Sequence, residues 1–180
     1  MRPRAALATW IVTAAVVAAH ALPAQTNRLA SRLDSATAAE VSRIADSARA
    51  LGLPVEPLFD KALEGATKRA DGARIIAAVR SLAHRLAVAR TALGPTTSES
   101  ELVAAAGALF QGVSPADLTR LRNARSGQSL ALPLVVLTDL IERGVPTGTA
   151  TAIVVDVART GAGDPVFVAL RRDVDHDITA

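Results

Sequence analysis

Residues 71–93 carry the sequence DGARIIAAVRSLAHRLAVARTAL, the clearest helical pattern in the chain. Its large apolar residues recur at steps of three, four or seven, which places them on one face of a helix. They are Ile75, Val79, Leu82, Leu86 and Leu93. Asp71 is a good N-cap, and Gly94 followed by Pro95 ends a helix. We therefore predict that this segment is the longest helix and the centre of the hydrophobic core.

Two further amphipathic segments precede this helix. Over residues 27–50 the apolar residues recur at three- and four-residue steps, from Leu29 to Leu51. Gly52 follows, and glycine ends helices because it adopts the left-handed conformation without a Cβ clash. A second helix is predicted over residues 55–67, with Glu64 and Lys68 spaced for an i,i+4 ion pair.

Capping signals mark the helices after residue 93. Ser98 with Glu101 matches a capping box, and Ser114-Pro115 is a typical helix start. Residues 130–137 could pass for a buried strand, but their helical spacing continues through Leu140, which favours a helix. Two more helices are predicted to begin near Thr147 and at residue 164.

The pattern as a whole predicts an all-α fold. We expect an irregular bundle of about seven to eight short-to-medium amphipathic helices. Residues 25–180 are enough for a single helical domain. Residues 123–129 form the most polar and least periodic segment, so we predict a mobile loop there.

The N-terminus has the features of an export signal. Arg2 and Arg4 precede residues 5–22, which contain no charged residue, and small residues follow. This pattern predicts a signal peptide over residues 1–24, cleaved after Ala24 or alternatively after Ala21. An uncleaved membrane anchor over residues 5–22 is the alternative, because that length is at the lower edge of what spans a bilayer. The domain is therefore expected to be periplasmic or secreted.

Composition limits the possible chemistry. The chain has no cysteine, which excludes disulfides, thiol catalysis and Cys-ligated metals. Its formal net charge is +3, and loss of Arg2 and Arg4 with the leader leaves +1. Outside the leader the aromatic residues are Phe59, Phe110 and Phe167, all predicted to lie in the core. Because nucleic-acid binding relies on basic surfaces and exposed aromatic rings, we expect no nucleic-acid partner.

The C-terminal segment holds a candidate metal site. Asp173, His176 and Asp177 are three and four residues apart, so they can share one face of a helix. Carboxylates with an imidazole suit zinc or manganese. Arg171 and Arg172 already balance the charge, so we favour an ordinary solvated helix end and predict no cofactor.

Four arginines give residues 71–93 a basic character. They are Arg74, Arg80, Arg85 and Arg90. On an exported protein they are candidates for contact with an anionic surface, such as lipid headgroups or a cell-wall polymer. A solvated basic face with no ligand is the simpler interpretation.

Catalytic signatures are missing from the chain. There is no His-Glu-x-x-His, Gly-x-Ser-x-Gly, Ser-x-x-Lys or Walker motif, and His84 has no orienting partner near it in sequence. We therefore predict a non-enzymatic binding or scaffolding domain of the bacterial cell envelope, with a protein or another envelope component as partner. Membrane contact is expected only through an uncleaved leader or anionic headgroups. Two alternatives stay open: a carrier of an apolar ligand such as a lipid, and a metal-dependent enzyme that uses the C-terminal Asp/His cluster.

Overall fold

The computed structural model describes residues 28–179, with side chains through residue 172. In this part of the chain a helical turn at residues 28–30 is followed by eight helices, and no strand is present. The helices are α1 (Ser35–Ala50), α2 (Glu56–Thr67), α3 (Gly72–Leu93), α4 (Glu99–Phe110), α5 (Pro115–Ala124), α6 (Ala131–Glu142), α7 (Thr147–Arg159) and α8 (Asp164–Thr179). The predicted all-α fold is thus confirmed for these residues. The predicted signal peptide, and the anchor that is its alternative, lie outside the described residues.

Local capping chemistry sets the starts of α3, α4 and α5 as predicted, whereas α7 begins at Thr147 after Pro146 with no side-chain cap. The carboxylate of Asp71 accepts the backbone N–H of Arg74 at 2.8 Å, and α3 is the longest of the eight helices at 22 residues. Ser98 opens α4 and Ser114 opens α5, each in a complete capping box. The segment that resembled a strand is helix α6.

The prediction of one continuous helix over residues 27–50 is wrong. The chain turns at residues 31–33, and Asp34 caps a new helix by accepting the N–H and hydroxyl of Thr37 at 2.9 and 2.7 Å. Apolar spacing did not reveal the break because Leu29 is fully buried on the far side of the turn. At the other end of α1, Leu51 is 68% exposed although the pattern placed it on the apolar face.

Helix α3 lies at the centre of the packing, as predicted. It contacts α1, α2, α4 and α5, and its residues Ile75, Val79, Leu86 and Leu93 are buried. Beyond it, helices two apart in the chain pack together: α4 with α6, α6 with α8, and α5 with α7. The described helices therefore form a bundle around one continuous core. Within the described residues, no helix combines the length and the apolar character that crossing a membrane requires.

A glycine lets α2 and α3 approach closely. A Cβ added at Gly65 would lie 2.7 Å from Cγ1 of Ile75, which is too short for two carbon atoms. This approach places Lys61 of α2 and Ala78 of α3 on the wall of one groove, described below.

Two of the three phenylalanines are in the core as predicted, and the third is not. Phe59 and Phe167 are buried, whereas Phe110 is 70% exposed. At about 100° per residue, Phe110 lies about 80° around α4 from the fully buried Leu102. The core is on the side of α4 that carries Leu102 and Ala105, so Phe110 at the helix end faces outwards.

Candidate functional site: the groove between α3 and α4

The four predicted arginines have different surroundings. Arg74 pairs with Asp71 at 3.2 Å, Arg80 with Glu40 of α1 at 2.8 Å, and Arg90 donates to the carbonyl oxygens of Gly52 and Pro95, both at 3.0 Å. By helical rotation Arg74 and Arg85 lie within about 20° of each other, while Arg80 and Arg90 point in other directions. Arg74 and Arg85 thus share one face of α3, about three turns apart. Binding of an anionic surface by this set stays a prediction.

The C-terminal candidates lie on one helix, since α8 continues through Thr179. The side chains of Asp173, His176 and Asp177 are outside the described set, and metal binding by them stays a prediction. Among the described side chains, no group of three or more His, Cys, Asp or Glu residues is placed to hold a metal ion.

The exposed His84 lines a groove of about 420 Å³ between α3 and α5, away from the phenylalanines. The other lining residues are Ala87, Val88, Thr91, Ala92, Pro115, Ala116 and Thr119. None of them is titratable. The nearby hydroxyl of Ser81 accepts from Arg85 at 2.7 Å and so takes part in a different contact.

An open groove of about 280 Å³ runs between α3 and α4; we call it the α3–α4 groove. Its lining is mostly small or apolar: Lys61, Ala78, Ser81, Leu82, Arg85, Val103, Ala106, Gly107 and Phe110. Two of these side chains are cationic and none is acidic. From Ala78 to Arg85 and from Val103 to Phe110 each wall is two helical turns long, about 10 Å.

Helix α4 presents an apolar stripe to this groove. Val103, Gly107 and Phe110 are spaced i, i+4, i+7 and share one helix face. Val103 is 40% and Phe110 70% exposed. A Cβ at Gly107 would have no heavy atom within 4 Å, so the middle of the stripe is open space. The stripe therefore leaves apolar surface of Val103 and Phe110 accessible from the groove.

Arg85 lies beside this stripe. Its guanidinium carbon is 5.0 Å from the centroid of the Phe110 ring, a cation–π distance. The Nε–H of Arg85 is buried and has no hydrogen-bond partner, and in the described part of the chain no carboxylate pairs with this side chain. Burial lowers the pKa of Arg85, because part of the charged group is removed from water. The groove therefore offers a cation that no carboxylate of the described residues neutralises.

A second depression of about 210 Å³ continues the α3–α4 groove, since both are lined by Lys61 and Ala78; we call it the basic extension. Its other charged residues are Glu64, Lys68 and Arg74. Hydrogen bonds from Lys61 and Lys68 lower the pKa of Glu64 to about 2, so it is ionised at neutral pH. Together the two depressions carry four cations and one carboxylate among their lining residues.

Glu101 is a buried carboxylate that links three segments. Besides closing the box with Ser98, it accepts the Leu130 N–H at 2.7 Å and Nη2 of Arg122 at 3.1 Å. Burial alone would raise its pKa, but the hydrogen bonds from Leu130, Ser98 and Arg122 outweigh burial and lower the pKa below its ordinary value. The sequence predicted the capping box of Ser98 and Glu101, but not the hydrogen bonds of Glu101 to Arg122 and Leu130.

Arg125 is buried within the segment predicted to be a mobile loop. Its Nε donates to the Ser129 carbonyl at 2.9 Å and Nη1 to the Ala162 carbonyl at 2.6 Å. Nη2 pairs with Asp164, and the guanidinium lies 4.9 Å from the centroid of the buried Phe167 ring. These contacts join the α5–α6 connection to the start of α8. Mobility of residues 123–129 stays a prediction.

The two central residues of the groove were both noted in the sequence, but separately. Arg85 was assigned to a basic face and Phe110 to the core, and only the packing of α4 on α3 brings them together. Comparison of the chain with models of protein families, with curated proteins and with solved structures gave no match.

Proposed function

We propose that this protein is a non-enzymatic binding domain of the cell envelope that holds a segment of a partner protein in the α3–α4 groove. The observation that carries this proposal is the exposure of Phe110, 70% accessible on an ordered helix beside Arg85. Aromatic and arginine side chains dominate the binding energy of protein interfaces. An exposed apolar stripe of this kind is typical of an interaction site.

The shape of the groove favours a protein segment over a small molecule or a lipid. Its volume of about 280 Å³ is slightly below the range typical of small-molecule pockets, and it opens along its length to solvent. Ala78, Ala106 and Gly107 contribute small residues to the lining, which leave room between the two walls. A trough two helical turns long can accept apolar side chains from a partner, whereas a lipid carrier needs an enclosed cavity.

The location is part of the proposal. The leader pattern over residues 1–24 supports export to the periplasm or the medium, with Gln25 as the first residue of the mature protein. Intact-mass measurement of the protein from fractionated cells is expected to give a chain that starts at Gln25 or, with the alternative site, at Leu22. Retention of residues 5–22 in the membrane fraction would instead support the uncleaved anchor.

A photoreactive phenylalanine analogue at position 110 tests the docking site directly. In cells of the source organism, we expect irradiation to join position 110 to one protein species of defined mass. The matched control places the same analogue at Leu51, which is 68% exposed but lies at the end of α1, outside the groove lining. Equal cross-linking from both positions, or cross-linking of position 110 to lipid only, would contradict the proposal.

Substitutions at Gly107 provide a second experiment, which separates an effect on binding from an effect on stability. Leucine at Gly107 projects into open space in the groove, so we expect cross-linking from position 110 to disappear. Glycine to alanine inside a helix stabilises by up to about 1 kcal/mol, so Gly107→Ala should raise the free energy of unfolding. Gly148→Leu in α7, also next to open space, is the control that should leave cross-linking unchanged.

A further inference from the structure

We propose that the segment held in the α3–α4 groove is an acidic amphipathic helix, whose apolar side chains cover Phe110 and whose carboxylates face Arg85 and the basic extension. This inference rests on the proposed function and specifies its partner. It is drawn from the cations that line the two joined depressions and from the length of the groove.

The backbone form of the partner follows from the walls of the groove. Both walls are helices, and the described residues offer no strand edge to which an extended peptide could add. An amphipathic helix that lies between two helices inserts residues i, i+4 and i+7 into such a trough. The two-turn length of the wall matches this spacing, with Gly107 leaving room for the central side chain.

The charge of the partner follows from the incomplete pairing of the lining. Lys61 and Lys68 both pair with Glu64, the single carboxylate of the lining, while Arg74 pairs with Asp71 outside the lining. No carboxylate among the described residues pairs with Arg85, whose side chain donates a hydrogen bond to Ser81. A carboxylate next to Arg85 forms charge-assisted hydrogen bonds in a partly desolvated site, where they are stronger than in water. An acidic helix therefore complements this surface, and a basic helix is repelled by it.

Two other occupants fit less well. In a symmetric dimer formed through this groove, the cations of one copy would face those of the other, so a second copy is disfavoured. An anionic membrane matches the charge, but the apolar residues line a groove, and the Arg85 guanidinium lies over one face of the Phe110 ring. An interfacial membrane contact instead uses a convex apolar face that enters the headgroups.

Selection from a peptide library tests the charge of the partner. The library displays amphipathic helices of about four turns, with leucine at the i, i+4 and i+7 positions and a random choice of Glu, Gln or Lys at the polar positions. It is selected on the wild-type protein after depletion on Gly107→Leu. We expect Glu to be enriched at least threefold over Lys in the retained pool. Equal use of Glu and Lys, or enrichment of Lys, would overturn the inference.

Synthetic peptides from the pool then separate the two proposals. Arg85→Gln is expected to weaken an acidic peptide about tenfold and to leave its Gln-substituted analogue unchanged. Phe110→Ala should weaken both peptides about tenfold, and Arg159→Gln on α7 should change neither. If Phe110→Ala weakens the binding of both peptides and Arg85→Gln weakens neither, the groove binds a helix without selecting its charge. In that case only this inference fails. If no peptide distinguishes the wild type from Gly107→Leu, both proposals fail.

Co-sedimentation with vesicles of phosphatidylglycerol tests the membrane as the alternative occupant. We expect co-sedimentation with these vesicles to be unaffected by Phe110→Ala and Arg85→Gln. Loss of vesicle binding in both variants, without peptide selection, would identify the membrane as the occupant and overturn the inference.

Discussion

Replacing Glu101 by alanine is expected to lower the free energy of unfolding by about 3 kcal/mol, because the change leaves buried donors without an acceptor. Glu101 is 6% exposed, and its carboxylate accepts from Ser98, Arg122 and Leu130. Its removal also breaks the reciprocal half of the capping box at the start of α4 and leaves the N–H of Leu130, the N-cap residue of α6, without its acceptor. For a domain of this size the melting temperature should fall by about 6–12 °C. Urea denaturation followed by far-UV circular dichroism measures the change.

Glu99→Ala is the matched control for this prediction. Glu99 lies in the same first turn of α4 but is exposed, so its loss should cost only the interaction with the helix dipole, about 0.5 kcal/mol. Glu101→Gln keeps an acceptor of the same shape without the charge and should fall between the two. If Glu101→Ala and Glu99→Ala have equal effects, the buried contacts of Glu101 do not contribute to stability.

The charge of Glu101 also sets a pH dependence. Its pKa is lowered in the folded protein, so its contribution to stability is fully present above the ordinary glutamate pKa of about 4.3. The contribution is lost as the pH falls through the lower folded value. The difference in unfolding free energy between wild type and Glu101→Gln should therefore be constant at neutral pH and shrink below pH about 4. Glu64 and Asp34 also have lowered pKa values, but they are common to both proteins and cancel in the difference.

Replacing Arg125 by alanine is expected to cost about 3 kcal/mol. The side chain is 4% exposed, and its loss removes two hydrogen bonds to carbonyl oxygens, the ion pair with Asp164 and the contact with the Phe167 ring. Lysine cannot replace it, because a single ammonium group does not reproduce the fork of donors. We therefore expect Arg125→Lys to recover less than half of the lost stability in the same urea titration.

Arg159→Ala is the control for Arg125. Arg159 is 62% exposed and pairs with Asp156 on the same helix, an interaction worth less than about 0.5 kcal/mol. Amide hydrogen exchange adds a local readout, since Arg125→Ala should reduce protection at the start of α8 more than in α3. Uniform loss of protection along the chain would show that Arg125 does not specifically hold this junction.

Local features of the sequence were sufficient to predict most helices. The N-cap at Asp71, the boxes at Ser98 and Ser114 and the helix end at Gly52 depend on residues within one turn of each other. Such contacts form in the same way whatever lies on the other side of the helix. The exception is the turn before Ser35, where apolar spacing continued across a change of direction.

The candidate groove was not predictable in the same way. Periodicity identifies which residues are apolar, and Phe110 and Leu51 fit the pattern as well as Leu102 does. Whether such a residue is covered depends on the neighbouring helices, and none covers Phe110 at the end of α4. Arg85 lies next to Phe110 only because α3 packs against α4.

The sequence by itself determined the helical class, the central position of residues 71–93 and the capping chemistry, because these follow from side chains close together in the chain. Only the tertiary structure decided that Glu101 and Arg125 are buried and that Phe110 is exposed. The hydrogen-bond partners of Glu101 and Arg125 lie 21 to 39 residues away, apart from local bonds to Ser98 and Ser129. A buried charged group is stable only where it forms hydrogen bonds or ion pairs, and whether distant partners are placed to form them depends on how the helices pack.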